Sequence, residues 1–94
     1  MDMLTKETTI KKSPNAIESE IDGDVVLMNL DNNEYYSMDN IGSTIWKMLE
    51  EPKTIAEILE QLMEIYDVSA ETCEKDTMKF LNQLLDKKII VADE

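Results

Sequence analysis

Any chemistry in this chain must come from carboxylates, lysines and hydroxyls, because its 94 residues include no histidine and one cysteine. General acid–base catalysis needs a group poised near its working pH. The 21 acids are scattered, and no glycine-rich cleft or partner motif singles out a pair. There is no G-x-S-x-G, P-loop or G-x-G-x-x-G, and Gly23 and Gly42 are isolated, so phosphate cradling is not supported. Cys73 has no partner for an internal disulfide, and a zinc site without histidine would need an unusual ligand set. The simplest role for Cys73 is a small apolar residue on a helix. Asp22-Gly23-Asp24 and Asp31-Asn32-Asn33 lack the spacing of a calcium loop and read as turns. No catalytic residue, metal or cofactor is expected, and the chain reads as a non-enzyme.

Charge narrows the partners. The 21 acids against 9 bases give a net charge of −12, and every base is a lysine. Without arginine there are no bidentate contacts to guanine, and an acidic surface repels nucleic acid at low salt. There is no 20-residue apolar span, and no apolar run follows a basic start at MDMLTKETTI, so neither a membrane helix nor a signal peptide is expected and the cytoplasm is the default.

What the chain does concentrate is aromatic. Of its five aromatic residues, Tyr35, Tyr36, Trp46, Tyr66 and Phe80, three fall within DNNEYYSMDNIGSTIW, residues 31–46. The elements that would position them follow from hydropathy. Residues 1–15 are polar, lack periodicity and end at Ser13-Pro14-Asn15, which predicts a flexible N-terminal tail or a loosely attached strand ahead of one domain over 16–94. AIESEI alternates apolar and polar residues as a strand with one wet face does. Asp22-Gly23-Asp24 marks a tight turn, VVLMNL a more buried strand, Asp31 to Glu34 a second turn, and Tyr35-Tyr36-Ser37-Met38 a third, short strand.

The period then becomes helical. Asp39 or Asn40 can cap a helix with Ile41, Ile45, Met48 and Leu49 on one face and Trp46 beside them, and Pro52 ends it. Thr54 and Glu57 form a capping box for a second helix that carries Ile55, Ile58, Leu59, Leu62 and Ile65 on one side. Ser69 caps a third, with Glu71 in its first turn, running to about Lys88. Ile89-Ile90-Val91 closes the chain as an extended segment or frayed end. The expected fold class is α+β: a three-stranded antiparallel sheet followed by three helices.

On the third helix, Phe80, Cys73, Leu84, Thr77, Ala70, Leu81, Leu85 and Met78 sweep an arc of about 160°, where about 100° suffices to face a core. Either one edge of this stripe serves something beyond the core, or the sheet and the other helices bury the whole arc; the angle alone does not decide between them. Asp76, Gln83 and Lys87 border one side; Glu71 and Asn82 border the other, and the angles do not choose between them. A winged-helix nucleic-acid binder is disfavoured because Lys75, Lys79, Lys87 and Lys88 are matched by Glu71, Glu74, Asp76 and Asp86, whereas a recognition helix carries a basic surplus. An acidic carrier protein is disfavoured because Gly42-Ser43-Thr44 lacks the Asp-Ser-Leu setting of a prosthetic-group serine.

Peptide binding is the chemistry left. A short strand ending a meander has one unpaired side, and Tyr35 to Met38 carries no lysine or proline to repel a partner strand. An incoming peptide can add there by main-chain bonding while adjacent pockets read alternate side chains. Alternation puts Tyr36 and Met38 on one face and Tyr35 and Ser37 on the other, so one ring belongs to the core and one to the groove or solvent.

These residues resemble a family. Tyr35-Tyr36-x-Met38, Gly42-x-x-Ile45-Trp46-x-x-Leu49, Thr54-x-x-Glu57-Ile58 with Tyr66, and Asp76-x-x-x-Phe80-Leu81-x-x-Leu84 before Ile89-Ile90 are together similar to the PqqD-type recognition element, the leader-peptide-binding domain of ribosomal peptide modification pathways. The resemblance covers about residues 16–91. It implies a winged-helix-like fold in which the leader of a precursor peptide adds along the third strand, in a groove closed by the third helix. Carried over, it implies a peptide-binding set of Glu34, Tyr35, Tyr36, Ser37, Met38, Asp76, Lys79, Phe80 and Gln83. In that set Asp76 would hold a basic or hydroxyl group, Lys79 would meet a leader carboxylate, and Phe80 would line an apolar pocket, with Met78 and Asn82 as the alternative edge. The spacing of YYSM and IGSTIW is most similar to the stand-alone recognition proteins of lasso-peptide pathways, which pass the precursor to a leader peptidase. The alternative is a chaperone for a radical SAM enzyme in quinone-cofactor synthesis. Lys87-Lys88 departs from the family where a small residue or glycine often precedes the final aliphatic pair.

Overall fold

A computed structural model of the chain describes residues 4–22 and 24–93. Residues 1–3 of the expected tail, Gly23 of the expected turn and Glu94 lie outside the described residues. The elements run β1 (Thr9–Lys12), β2 (Ala16–Ile21), β3 (Asp24–Asn29), β4 (Tyr35–Met38), α1 (Asn40–Met48), β5 (Lys53–Thr54), α2 (Ile55–Ile65), α3 (Ala70–Asp86) and β6 (Ile90–Asp93). The fold is α+β, with antiparallel sheets and three helices, as the sequence leads one to expect.

The expected meander is the sheet β2-β3-β4. Its first hairpin pairs Ile21 with Asp24, and Asp22 adopts φ 53, the left-handed conformation that tight hairpin turns require. Leu27 and Met38 face the core, buried with Ile45, Trp46, Ile58 and Leu81.

A second sheet, β5-β1-β6, takes up residues 9–12, so that of the two alternatives expected for this segment it is an attached strand and not a flexible tail. Residues 9–12 form its central strand: Ile10 opposes Lys53 on one side and Ala92 on the other, and its side chain is fully buried. The segment just before it completes a helix end. Ile55 and Ala56 donate their backbone N–H groups to the carbonyls of Thr8 and Lys6, at 3.0 and 2.9 Å, where α2 has no internal acceptors. Lys12 lies 4.5 Å from the centre of the Trp46 ring and pairs with Glu50 at 3.3 Å, tying β1 to α1.

The helix starts follow their caps. Asp39, rather than Asn40, caps α1 by accepting from the Gly42 N–H at 2.8 Å. Thr54 and Glu57 form the reciprocal capping box of α2. The two hydrogen bonds from Thr54 hold the Glu57 carboxyl below the ordinary carboxylate range. Ser69 caps α3.

Three apolar residues expected on dry faces are not there. Ile17 is exposed in β2, where Glu18, opposite the buried Leu27, instead reaches Trp46 and accepts from its Nε1–H at 3.1 Å. Ile65 ends α2 and is exposed, because the chain turns into extended conformation at Tyr66. Ile41 is also exposed, because the first turn of α1 overhangs the groove described below. The third helix stops at Asp86, short of the expected Lys88, in a Schellman motif: Lys88 N–H bonds to the Leu85 carbonyl and Ile89 N–H to that of Leu84, both at 3.0 Å. Lys88 therefore takes φ 60 in the position usually held by glycine. Side chains from the first sheet seal this end, as Asn29 donates to the Lys88 carbonyl and Asn32 to that of Lys87. No helix among the described residues is long and apolar enough to cross a membrane.

Candidate functional site

β4 is the edge of its sheet and pairs only with β3. The Asn29 N–H donates to the Glu34 carbonyl at 2.8 Å, and Met28 opposes Tyr35, so Asn29 and Glu34 form a hydrogen-bonded pair. Such pairs alternate along an antiparallel ladder. Tyr36 and Met38 thus point their main-chain groups at β3, and Tyr35 and Ser37 point theirs away from the sheet. Two N–H and two C=O groups in a row are available to another extended chain.

Side chains alternate as expected. Met38 is buried in the core beneath the site. Tyr36 is half-buried and reaches α3: its hydroxyl donates to the Gln83 Oε1 at 2.8 Å, and its ring meets Phe80 edge-on, with centroids 5.7 Å apart and planes at 71°. Tyr35, 64 % exposed, lies on the other face, in a cross-strand row with Met28 and Ile17. The groove ring is therefore Tyr36, and Tyr35 faces solvent beside the free edge.

Between β4, the first turns of α1 and α3 is a cavity of about 460 Å³, lined in part by Tyr36, Ser37, Asp76, Lys79, Phe80 and Gln83. Farther along the same cleft lies a second of about 370 Å³, lined by Glu34, Tyr36, Gln83, Asp86 and Lys87. Glu34 and Lys87 bridge the cleft at 3.5 Å. Eight of the nine residues inferred for the site thus lie on the groove or on its open edge, while Met38 supports it from below. The available edge of α3 is the one carrying Asp76, Phe80 and Gln83. Met78 is half-buried against the core, and Asn82 turns back to donate to the Met78 carbonyl at 2.9 Å.

Sequence reasoning missed the contribution of α1. Asp39, Ile41, Gly42 and Ile45 line the larger cavity, with Thr77 opposite. Gly42 is there because α1 and α3 approach closely: a Cβ on it would lie 3.1 Å from Phe80 Cε1 and 3.2 Å from both Phe80 Cζ and Asp39 Oδ1. The available signal was Asp39-x-x-Gly42, a cap followed by a helical glycine, which makes sense only if something packs over that glycine.

A third hollow, of about 700 Å³, lies among β6, Leu85 and the Asn29 to Asn32 segment. Its amides are already engaged, Asn29 with Lys88 and Asp31, Asn15 with Asp31, which leaves little to recognise a ligand. Among the described residues, no three of Cys, Asp and Glu gather in a way that would hold a metal ion.

Residues 24–90 match the family model described as coenzyme PQQ synthesis protein D, PqqD. In structure the chain is similar to TbiB1, solved in complex with the TbiA(beta) leader peptide, with a TM-score of 0.76 and 36% sequence identity over 85% of this chain and 93% of that one. It shares its fold with a lasso peptide synthetase B1 complexed with its leader peptide, at a TM-score of 0.74 and 18% identity over 87% of this chain and 96% of that one. No curated protein matches it in sequence.

Proposed function

The chain belongs to the PqqD family, and from that premise we propose that it is a non-catalytic adaptor that binds the leader of a ribosomally made precursor peptide. The leader adds as a strand along Tyr35 to Met38, and the adaptor delivers the precursor to a leader peptidase or other maturation enzyme. The observation that carries this reading is the unpaired edge of β4 beside a groove walled by α3, in a chain 36% identical to a protein whose structure holds a leader peptide. Main-chain bonds to Tyr35 and Ser37 supply affinity, and the two cavities supply selection. Holding the leader raises the local concentration of the attached core peptide at the enzyme, which requires no catalytic group in the adaptor.

The spacing of Tyr35-Tyr36-Ser37-Met38 and of Ile41 to Trp46 favours the lasso type. The description of the family model favours the alternative, a chaperone in quinone-cofactor synthesis.

The test is a fluorescence titration with the leader peptide encoded beside this gene, at two salt concentrations. Saturable binding, micromolar or tighter, is the expected result, and its salt slope reports how far the −12 charge acts on the peptide. No binding of that leader at either salt concentration refutes the proposal.

A further inference from the structure

The cleft beside β4 is not one pocket but two, divided by a bridge. Tyr36 and Gln83 line both cavities and are joined across the cleft by a 2.8 Å hydrogen bond. On one side lie Phe80, Ile41, Gly42 and Ile45. On the other lie Glu34, Asp86 and Lys87.

An added strand turns this division into a spacing. Side chains directly opposite one another on neighbouring strands share a face. Glu34, Tyr36 and Met38 fall on the α3 side of β4, so the peptide residues opposite them also face the cleft. The residue opposite Met38 enters the larger cavity, and the one opposite Glu34 stands over the smaller. The positions are four residues apart, about 13 Å at ~3.3 Å per residue. Between them, the residue opposite Tyr36 meets the bridge and must be small.

The two ends differ in apolar lining rather than in charge. Each carries two acids and one lysine, Asp39, Asp76 and Lys79 at the larger cavity and Glu34, Asp86 and Lys87 at the smaller, but Phe80, Ile41 and Ile45 line only the larger. Glu34 and Asp86 outnumber Lys87 in the smaller cavity, within a chain of net charge −12. Lys87 already leans on Glu34 at 3.5 Å, and Asp86 makes no ion pair among the described residues. The ring and aliphatic walls of the larger cavity suit an apolar side chain.

We propose that the groove reads the leader at two positions four residues apart, a bulky apolar side chain in the cavity at Phe80 and a basic side chain at Glu34 and Asp86, with a small residue midway. This rests on the leader-binding reading above and deepens it.

The experiment is a substitution scan of the neighbouring leader peptide, each position replaced in turn by Ala, Lys and Glu, with affinities measured by fluorescence anisotropy. One position is expected to prefer Lys over Glu by about fivefold, the scale of an exposed charge pair. Four residues away, replacing an apolar residue by Ala is expected to weaken binding about tenfold. The double variant Glu34→Lys, Asp86→Lys changes two exposed residues, leaves the core intact, and should reverse the charge preference at that one position. Binding without a charge preference, a preference the double variant leaves unchanged, or sensitive positions at another spacing overturns the two-site reading while leaving leader binding in place. Loss of all binding with the parent peptide refutes leader binding itself.

Discussion

Gly42→Ala separates the groove from the fold. Gly42 is buried in the first turn of α1, where alanine favours the helix by about 0.5–1 kcal/mol. The new Cβ would sit 3.1 Å from Phe80 Cε1, tighter than ordinary contact by a few tenths of an ångström. Overpacking of this kind costs about 1–3 kcal/mol when the neighbour is fixed. Phe80, half-buried and bordering open space, can yield instead, so the net change in stability should stay within about 2 kcal/mol. The movement has somewhere to go: the ring shifts into the cavity and disturbs its contact with Tyr36, the residue that holds Gln83. Leader affinity is expected to fall about tenfold, or ~1.4 kcal/mol, with a larger fall for Gly42→Val. The assay pairs thermal melts with anisotropy titrations on the same samples. Leader affinity within twofold of the parent would refute the reasoning. So would a stability loss beyond about 3 kcal/mol with binding of the folded protein intact, because it would mean that Phe80 does not yield into the groove.

Other perturbations test separate parts of the structure. Lys88→Gly relieves the left-handed residue at the end of α3 and is expected to stabilise by about 0.5–1 kcal/mol, read as a rise in Tm of about 2–8 °C. Tyr36→Phe removes the hydroxyl bridge to Gln83; thermal melts should show a loss of about 0.5–1.5 kcal/mol, and the leader should tolerate a larger residue at its middle position. Tyr35→Ala leaves the core untouched but removes the cross-strand neighbour of an added strand, so leader affinity should drop by about 0.2–1 kcal/mol in a titration. The lowered pKa of Glu57 means that its capping contribution is fully present above the unfolded-state pKa and is lost as pH falls through the folded-state value. Melts of the protein and of Glu57→Gln should therefore differ most near neutrality and converge in acid.

Local rules made much of this molecule legible. The capping box at Thr54 and Glu57, the Ser69 cap and the alternation that divides Tyr35 from Tyr36 each depend on residues a few positions apart. The second sheet did not show itself because β1 has one apolar residue facing the core, Ile10, and its partners lie at residues 53–54 and 90–93. No periodicity within residues 9–12 encodes a pairing at that distance. Periodicity also cannot say whether an apolar face meets core or cleft. Ile41 continues the stripe of Ile45 yet lines the groove, and the choice between the two edges of α3 depended on where β4 came to rest. Lys88 hid the end of α3 for a different reason: its left-handed backbone is sustained by the side-chain amides of Asn29 and Asn32, far away in sequence, which donate to the Lys88 and Lys87 carbonyls.

The position of β1 also sets the order in which the molecule is completed during synthesis. Thr9 pairs with Asp93, far away in sequence, so β1 must wait for β6 before their sheet can close. The β2-β3-β4 meander, built from neighbouring segments, has no such delay. A nascent chain therefore exposes the receptive edge of β4 before the rest of the domain locks behind it. With all 94 residues in place, the net charge of −12 makes copies repel one another, which opposes the pairing of one β4 edge with another.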